Sequence, residues 1–203
     1  MMKRYSLLQC LILGLAGLFF GACETFDTGG YARTEYLQPY GGVTPGNPET
    51  FDNVSFWDGD GVTGSPRIHI DLREQRAYFY KGNQLVGVSL ISSGREGYRT
   101  PSGNFKIIQK NANHRSNLYG DYVDAAGNIV MKDIGIKKDP QPPGTRFLGA
   151  EMPYFMRIHG GVGMHAGFLP GYAASHGCIR MPKQMARIFF NNVSIGTPVT
   201  VTN

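Results

Sequence analysis

The stretch Ala174-Ser175-His176-Gly177-Cys178-Ile179-Arg180-Met181 sets a cysteine between a His-Gly pair and an Ile-Arg-Met run. Taken alone, a free cysteine is a small apolar residue suited to a core. Its neighbours argue otherwise, because a buried strand with Ser-His before Gly-Cys and Arg after it would need partners for each polar group. An unpaired thiol in a secreted chain is better explained by reactivity. Gly177 lets the backbone approach a ligand, so the N–H groups of Gly177 and Cys178 can face a developing oxyanion. Imidazole has the pKa to take a thiol proton near neutral pH, and His159 and His165 lie just upstream. A zinc site built from His159, His165, His176 and Cys178 lacks the paired-ligand spacing and a second cysteine, so no metal is expected.

Downstream of the cysteine, Pro182 suits the first position of a helix, and Met185, Ile188 and Phe189 recur at helical spacing. A helix starting there would stabilise a thiolate if its N-terminus pointed back at the sulfur. Upstream the signals are those of strands. Ile68, Ile70 and Leu72 alternate with Arg67, His69 and Asp71, which predicts a half-buried strand with His69 on its outer face. Residues 77–80 and 84–91 around Lys81-Gly82-Asn83 predict a hairpin with a three-residue turn. Thr100-Pro101-Ser102-Gly103 suits a type I turn before a strand at Phe105–Ile108. Residues 111–149 are rich in Asn, Asp, Gly and Pro, with two brief strands expected at Ile129–Met131 and Ile134–Ile136 and with His114 in a solvated loop. Met152–Ile158 predicts a strand, Gly160-Gly161 a tight turn, and Val199 and Val201 a closing strand. The fold class is therefore mostly β with one short helix.

The chain has 203 residues, 28 of them Gly and 12 Pro, which suits one turn-rich domain. Its net charge of +5 is scattered, with no basic stripe and no interleaved aromatics, so no nucleic-acid partner is expected. Lys3 and Arg4 followed by the apolar run Leu7–Phe20 predict a signal peptide over residues 1–22, too short for a comfortable membrane span. Residues 23–65 predict a Gly/Pro-rich tether whose aromatic later part packs on the domain, and residues 66–203 the folded domain. With Cys10 in the leader and Cys23 at its boundary, Cys178 is the only free thiol expected in the mature domain.

Ser175-His176-Gly177-Cys178-Ile179-Arg180-Met181, preceded by Met164-His165-Ala166-Gly167, resembles the signature of the L,D-transpeptidase (YkuD-type) family of cell-wall enzymes. Thr100-Pro101-Ser102-Gly103-Asn104-Phe105 resembles that family's T-P-x-G-x-F element, and Gly196-Thr197-Pro198-Val199 its closing strand. Phe20-Gly21-Ala22-Cys23 resembles a bacterial lipoprotein processing site, with Cys23 as the lipidated residue.

The resemblance implies a curved β-sandwich, with residues 111–149 overhanging the site as a lid. It implies a thioester between Cys178 and a donor stem tetrapeptide of peptidoglycan, which is then passed to an acceptor amine for cross-linking or protein attachment. A wall-peptide hydrolase and a non-catalytic wall-peptide binder are the competing readings. Ser175, His176 and Gly177 are expected to shape the pocket, and Arg180 to orient a substrate carboxylate or brace the loop. Two histidines compete for the base. His159 has the more family-like gap to Ser175, but the resemblance also places a complete hairpin between Met152-Pro153 and the histidine, which selects His165. No cofactor is implied. The expected protein is a monomer held to the membrane by an N-terminal lipid, in the bacterial cell envelope and facing the periplasm or wall.

Overall fold

The computed structural model describes residues 52–203. The expected signal peptide, Cys23 and most of the tether lie outside the described residues. The elements run β1 (Phe56–Trp57), β2 (Pro66–Asp71), β3 (Arg76–Lys81), β4 (Gln84–Leu90), β5 (Gly103–Lys106), β6 (Gln109–Val123), β7 (Ile129–Gly135), β8 (Arg146–His159), β9 (Val162–Ala166), β10 (Ile179–Met181), α1 (Lys183–Asn192) and β11 (Pro198–Thr202). They form a six-stranded sheet in the order β1-β4-β3-β2-β11-β5 and a five-stranded sheet in the order β10-β9-β8-β6-β7. The last strand, β11, is inserted between β2, with which it runs parallel, and β5.

The alternation read along residues 67–72 is realised, with Ile68 and Ile70 buried and His69 bonded through Nε2 to Thr202 Oγ1 at 2.9 Å. Phe79 from β3, Met156 and Ile158 from β8, Met164 from β9 and Ile179 from β10 meet in one apolar layer between the sheets. Helix α1 adds Met185, Ala186 and Phe189 to that layer. Pro182 precedes the helix, where its missing N–H costs nothing. Part of the segment expected as tether belongs to the sheet: β1 pairs with β4, and the Trp57 ring stands edge-on to Phe79 at 5.2 Å.

Several local expectations are corrected. The β3–β4 turn has two residues, not three, because Lys81 pairs with Gln84 and Gly82 takes a φ of 57°, as two-residue hairpins require at that position. Residues 100–102 form no turn; the turn is earlier, where Tyr98 N–H donates to Arg95 O at 2.9 Å, and Gly103 already belongs to β5. The strand expected to extend to Ile108 ends at Lys106. Most of residues 111–149 are strand: β6 has 15 residues and pairs with β8 over most of its length, and the two brief strands expected there are the single strand β7. The Asn, Asp and Gly that read as loop sit on exposed faces or at register shifts near Arg115–Gly120. His114 is on β6, its ring stacked 4.2 Å from Phe155.

Phe79 is fully buried and touches aromatic rings from both the sheet edge and the helix. Phe79→Ala should cost about 3–5 kcal/mol, read as a lower denaturant midpoint with an unchanged slope.

Candidate functional site

Cys178 immediately precedes β10, the edge strand that runs parallel to β9 with Ile179 opposite Met164 and Arg180 opposite His165. Ile179, Met181, Met164 and Ala166 point into the apolar layer. Strand alternation therefore puts Cys178, Arg180 and His165 together on the opposite face. The thiol is half-buried and donates to Gly161 O at 3.6 Å, in the β8–β9 turn. His165 lies on the same face of β9, opposite Arg180 and so two residues along from the position beside Cys178. It is buried, and its Nδ1 is 2.8 Å from Ala166 O. That carbonyl can only accept, so Nδ1 carries the proton and Nε2 is left as the basic nitrogen.

His159 occupies a different place. It is exposed at the end of β8, opposite Val162, with its ring 5.4 Å from Phe105 of the six-stranded sheet.

Burial pushes the Cys178 thiol above its ordinary value, against an N–H bond from Gly163 and the positive charges of Arg157 and Arg180. Burial likewise lowers His165 to about 4, opposed by its bond to Ala166 O and helped by the charges of Arg180 and His114. Both groups are therefore neutral near pH 7. The helix dipole does not change this: α1 begins beyond the far end of β10, and its influence fades within its first turn.

The cysteine loop is laced to the chain segment that leaves β4. Ser92 N–H donates to Arg180 O at 2.9 Å and Arg180 N–H to Ser92 O at 3.0 Å. Ala174 and Ser175 N–H groups both reach Ser93 O, and Arg95 N–H reaches Ser175 O. Thr100 Oγ1 accepts from Gly94 N–H at 2.9 Å and donates to Gly177 O at 2.8 Å, which gives the T-P-x-G-x-F element a physical task. Gly94 is required here, because a Cβ would collide with Tyr98 O and press on Gly177 Cα. Ser175 is buried, its hydroxyl donating to Cys178 O and accepting from Gly177 N–H at 3.0 Å. The expectation that Gly177 N–H faces an oxyanion is thus corrected, since that donor is already used within the loop.

His176 is held outside the strand pair. Its Nε2 is 2.7 Å from the Arg95 guanidinium, and its ring stacks on Tyr119 at 4.3 Å and meets Tyr98 edge-on at 4.7 Å. Burial and the Arg95 charge lower its pKa. Tyr119 belongs to β6, so the segment expected as a lid does stand beside the cysteine loop, as sheet rather than coil. Arg95, Tyr98 and Tyr119 carried no periodic signal, since they sit in a turn and beside a register shift. Only Thr100 was marked, by its motif. Among the described residues, no group of three or more His, Cys, Asp or Glu is arranged to hold a metal ion.

The site thus sets Cys178 and His165 on one face of the β9–β10 pair in a mostly β, two-sheet fold. The model of the L,D-transpeptidase catalytic domain family (YkuD) matches residues 65–201, and the chain belongs to that family. It is 29% identical over 150 residues to the probable L,D-transpeptidase 3 of Mycobacterium tuberculosis, covering 70% of this chain and 47% of that protein. It is 30% identical over 138 residues to the probable L,D-transpeptidase YbiS of Escherichia coli K12, covering 65% and 43%. The chain thus spans less than half the length of these two relatives. Among solved structures, a cysteine-to-serine mutant of an Enterococcus faecium L,D-transpeptidase superposes with a TM-score of 0.51 at 26% identity, covering 69% of this chain and 50% of that one. An L,D-transpeptidase from Mycobacterium smegmatis superposes with a TM-score of 0.51 at 19% identity over 68% and 59%, a likeness of fold.

Thr100→Val should cost about 1–3 kcal/mol, since it leaves Gly94 N–H and Gly177 O without their partner. Amide exchange at residues 174–178 should quicken while β7 keeps its protection.

Proposed function

We propose that this chain is a cysteine-dependent peptidoglycan L,D-transpeptidase with Cys178 as nucleophile and His165 as base. The observation that carries the reading is the β9–β10 register, which sets both side chains on one sheet face with Nδ1 of His165 tied to Ala166 O. The thiol, turned toward Gly161 O at rest, rotates toward His165 when a donor stem peptide fills the site. Nε2 of His165 takes the thiol proton as sulfur attacks the carbonyl of the L-centre residue. The C–S bond forms, the C–N bond to the terminal D-alanine breaks, and the departing amine takes the proton from His165. An acceptor amine then attacks the thioester, His165 removes its proton, and the C–S bond breaks to return the thiol. Cys178 N–H donates to the oxyanion, while Ser175, through its bonds to Cys178 O and Gly177 N–H, fixes the direction in which that donor points. Arg180 and Arg157 supply positive charge beside the sulfur as it becomes anionic. The mature protein begins at a lipidated Cys23, works as a monomer from the membrane, and faces the periplasm or wall of a bacterial envelope.

Acylation by a carbapenem, followed by intact mass, tests the nucleophile. The adduct should vanish in Cys178→Ser; its persistence there overturns the assignment. His165→Ala should slow acylation by roughly two or more orders of magnitude, and His159→Ala should leave most of the rate. A severe loss confined to the His159 variant reverses the choice of base.

Because His165 is neutral down to about 4, the acylation rate should hold as pH falls through the ordinary imidazole value and reach half its plateau only near pH 4. The sign for stability follows. The unfolded chain protonates this histidine near its ordinary pKa of about 6.5, and the folded one only near 4. Stability should therefore fall with pH between those values, and fall less in His165→Gln.

Detergent partitioning of the native protein should be lost in Cys23→Ala. An unmodified mature N-terminus at another residue would overturn the lipid anchor.

A further inference from the structure

Phe155 is fully buried, yet it stands apart from the apolar layer between the sheets. Its neighbour on β8, Met156, is opposite Met164 and points into that layer, while Arg157 is opposite Gly163. Strand alternation therefore turns Phe155 and Arg157 to the outer face, the one that carries Cys178 and His165. One step from the Met156–Met164 pair, Phe155 faces His165, with the ring centres 6.2 Å apart. Its ring leans over Gly163, where a Cβ would lie 2.6 Å from Phe155 Cε2 and 2.7 Å from Cζ. Gly163 is the residue beside Cys178 in the β9–β10 register, and its N–H is bonded to the sulfur. The tip of an aromatic ring thus fills the space that a β9 side chain would occupy next to the thiol. The rest of the ring is closed off by His114, stacked at 4.2 Å, and by the Arg157 guanidinium, 5.1 Å from its centre. Arg157 is itself held there, with Nε bonded to Gln109 Oε1 at 2.7 Å and Nη1 to Gly160 O at 2.6 Å.

We propose that Phe155 is the residue that selects an amine over water as the group that resolves the Cys178 thioester. This rests on the transpeptidase reading above and names what decides its acceptor. Either acceptor uses the same base. In hydrolysis the water oxygen attacks the thioester carbonyl, its proton passes to His165 Nε2, the C–S bond breaks, and the sulfur recovers the proton, leaving a free acid. A water held for that attack in a buried site needs about three polar partners, of which Nε2 is one. The wall it would stand against is the Phe155 ring and Gly163 Cα, and neither offers another, so holding the water leaves its hydrogen bonds unmade. An acceptor amine has no such need. The peptide that carries it is held by contacts elsewhere and brings the nitrogen to Nε2 already positioned.

The test compares the native protein with Phe155→Ala and with Phe155→Leu, which keeps an apolar side chain should the first variant fail to fold. A donor tetrapeptide is incubated in ¹⁸O-labelled water with an acceptor peptide that has a free amine, and mass spectrometry counts labelled acid against transferred product. The ratio of acid to transferred product should rise about tenfold in Phe155→Ala, the scale of one hydrogen bond gained by the attacking water, and by a smaller factor in Phe155→Leu. A merely structural role would lower both products together and leave the ratio alone. Acylated by a carbapenem, both variants should also shed the adduct to water sooner than the native protein does. An unchanged ratio in both variants overturns the proposal, while transfer by the native protein keeps the transpeptidase reading. A native protein that yields labelled acid and no transferred product overturns both.

Discussion

The site depends on one exchange of backbone hydrogen bonds, Ser92 with Arg180, by which the chain leaving the six-stranded sheet pairs with the edge strand of the other. Strand β10 is only three residues long and would be a weak edge by itself. It stays the edge of its sheet, but beside its pairing with β9 it is bridged on the free side, at Arg180, by Ser92. The bonds from Ser93, Arg95 and Thr100 extend the same seam around the loop, each contributing only about 1 kcal/mol net. Their combined effect is positional, because they fix the backbone on both sides of Cys178. The two sheets are joined at the place where the chemistry is expected.

Burial then sets the resting electrostatics. A thiolate–imidazolium pair would put two ions into surroundings that raise the thiol and depress the histidine, so the neutral pair is the ground state. In the reaction proposed above, the proton moves only once a bound substrate takes up the negative charge. A thiol held in this way is poorly reactive toward stray electrophiles and oxidants, since both attack the thiolate. Arg157 and Arg180 lie close enough to favour the charged sulfur without reversing that order.

What the sequence disclosed follows from which features have short-range causes. The alternation at residues 67–72, the Gly160-Gly161 turn and the helix after Pro182 are local and were legible. The second half of β8, Met152–Ile158, was legible too, whereas β6 and the start of β8 were not, because exposed polar residues and bulges mask the two-residue period there. Cys178 and His165 were marked by chemistry and by family pattern, and the parallel register that brings them to one face is a long-range pairing that no local pattern encodes. The same holds for Arg95, Tyr98 and Tyr119, which converge on His176 from one turn and from β6.

The position of β11 has a consequence for how the molecule comes into being. Its neighbours β2 and β5 are made long before it, and His69 must wait for Thr202, 133 residues later, to find its partner. Until residues 198–202 have been synthesised, β2 and β5 flank an empty slot and the six-stranded sheet cannot close. A growing chain therefore cannot reach this fold on the ribosome ahead of its final strand.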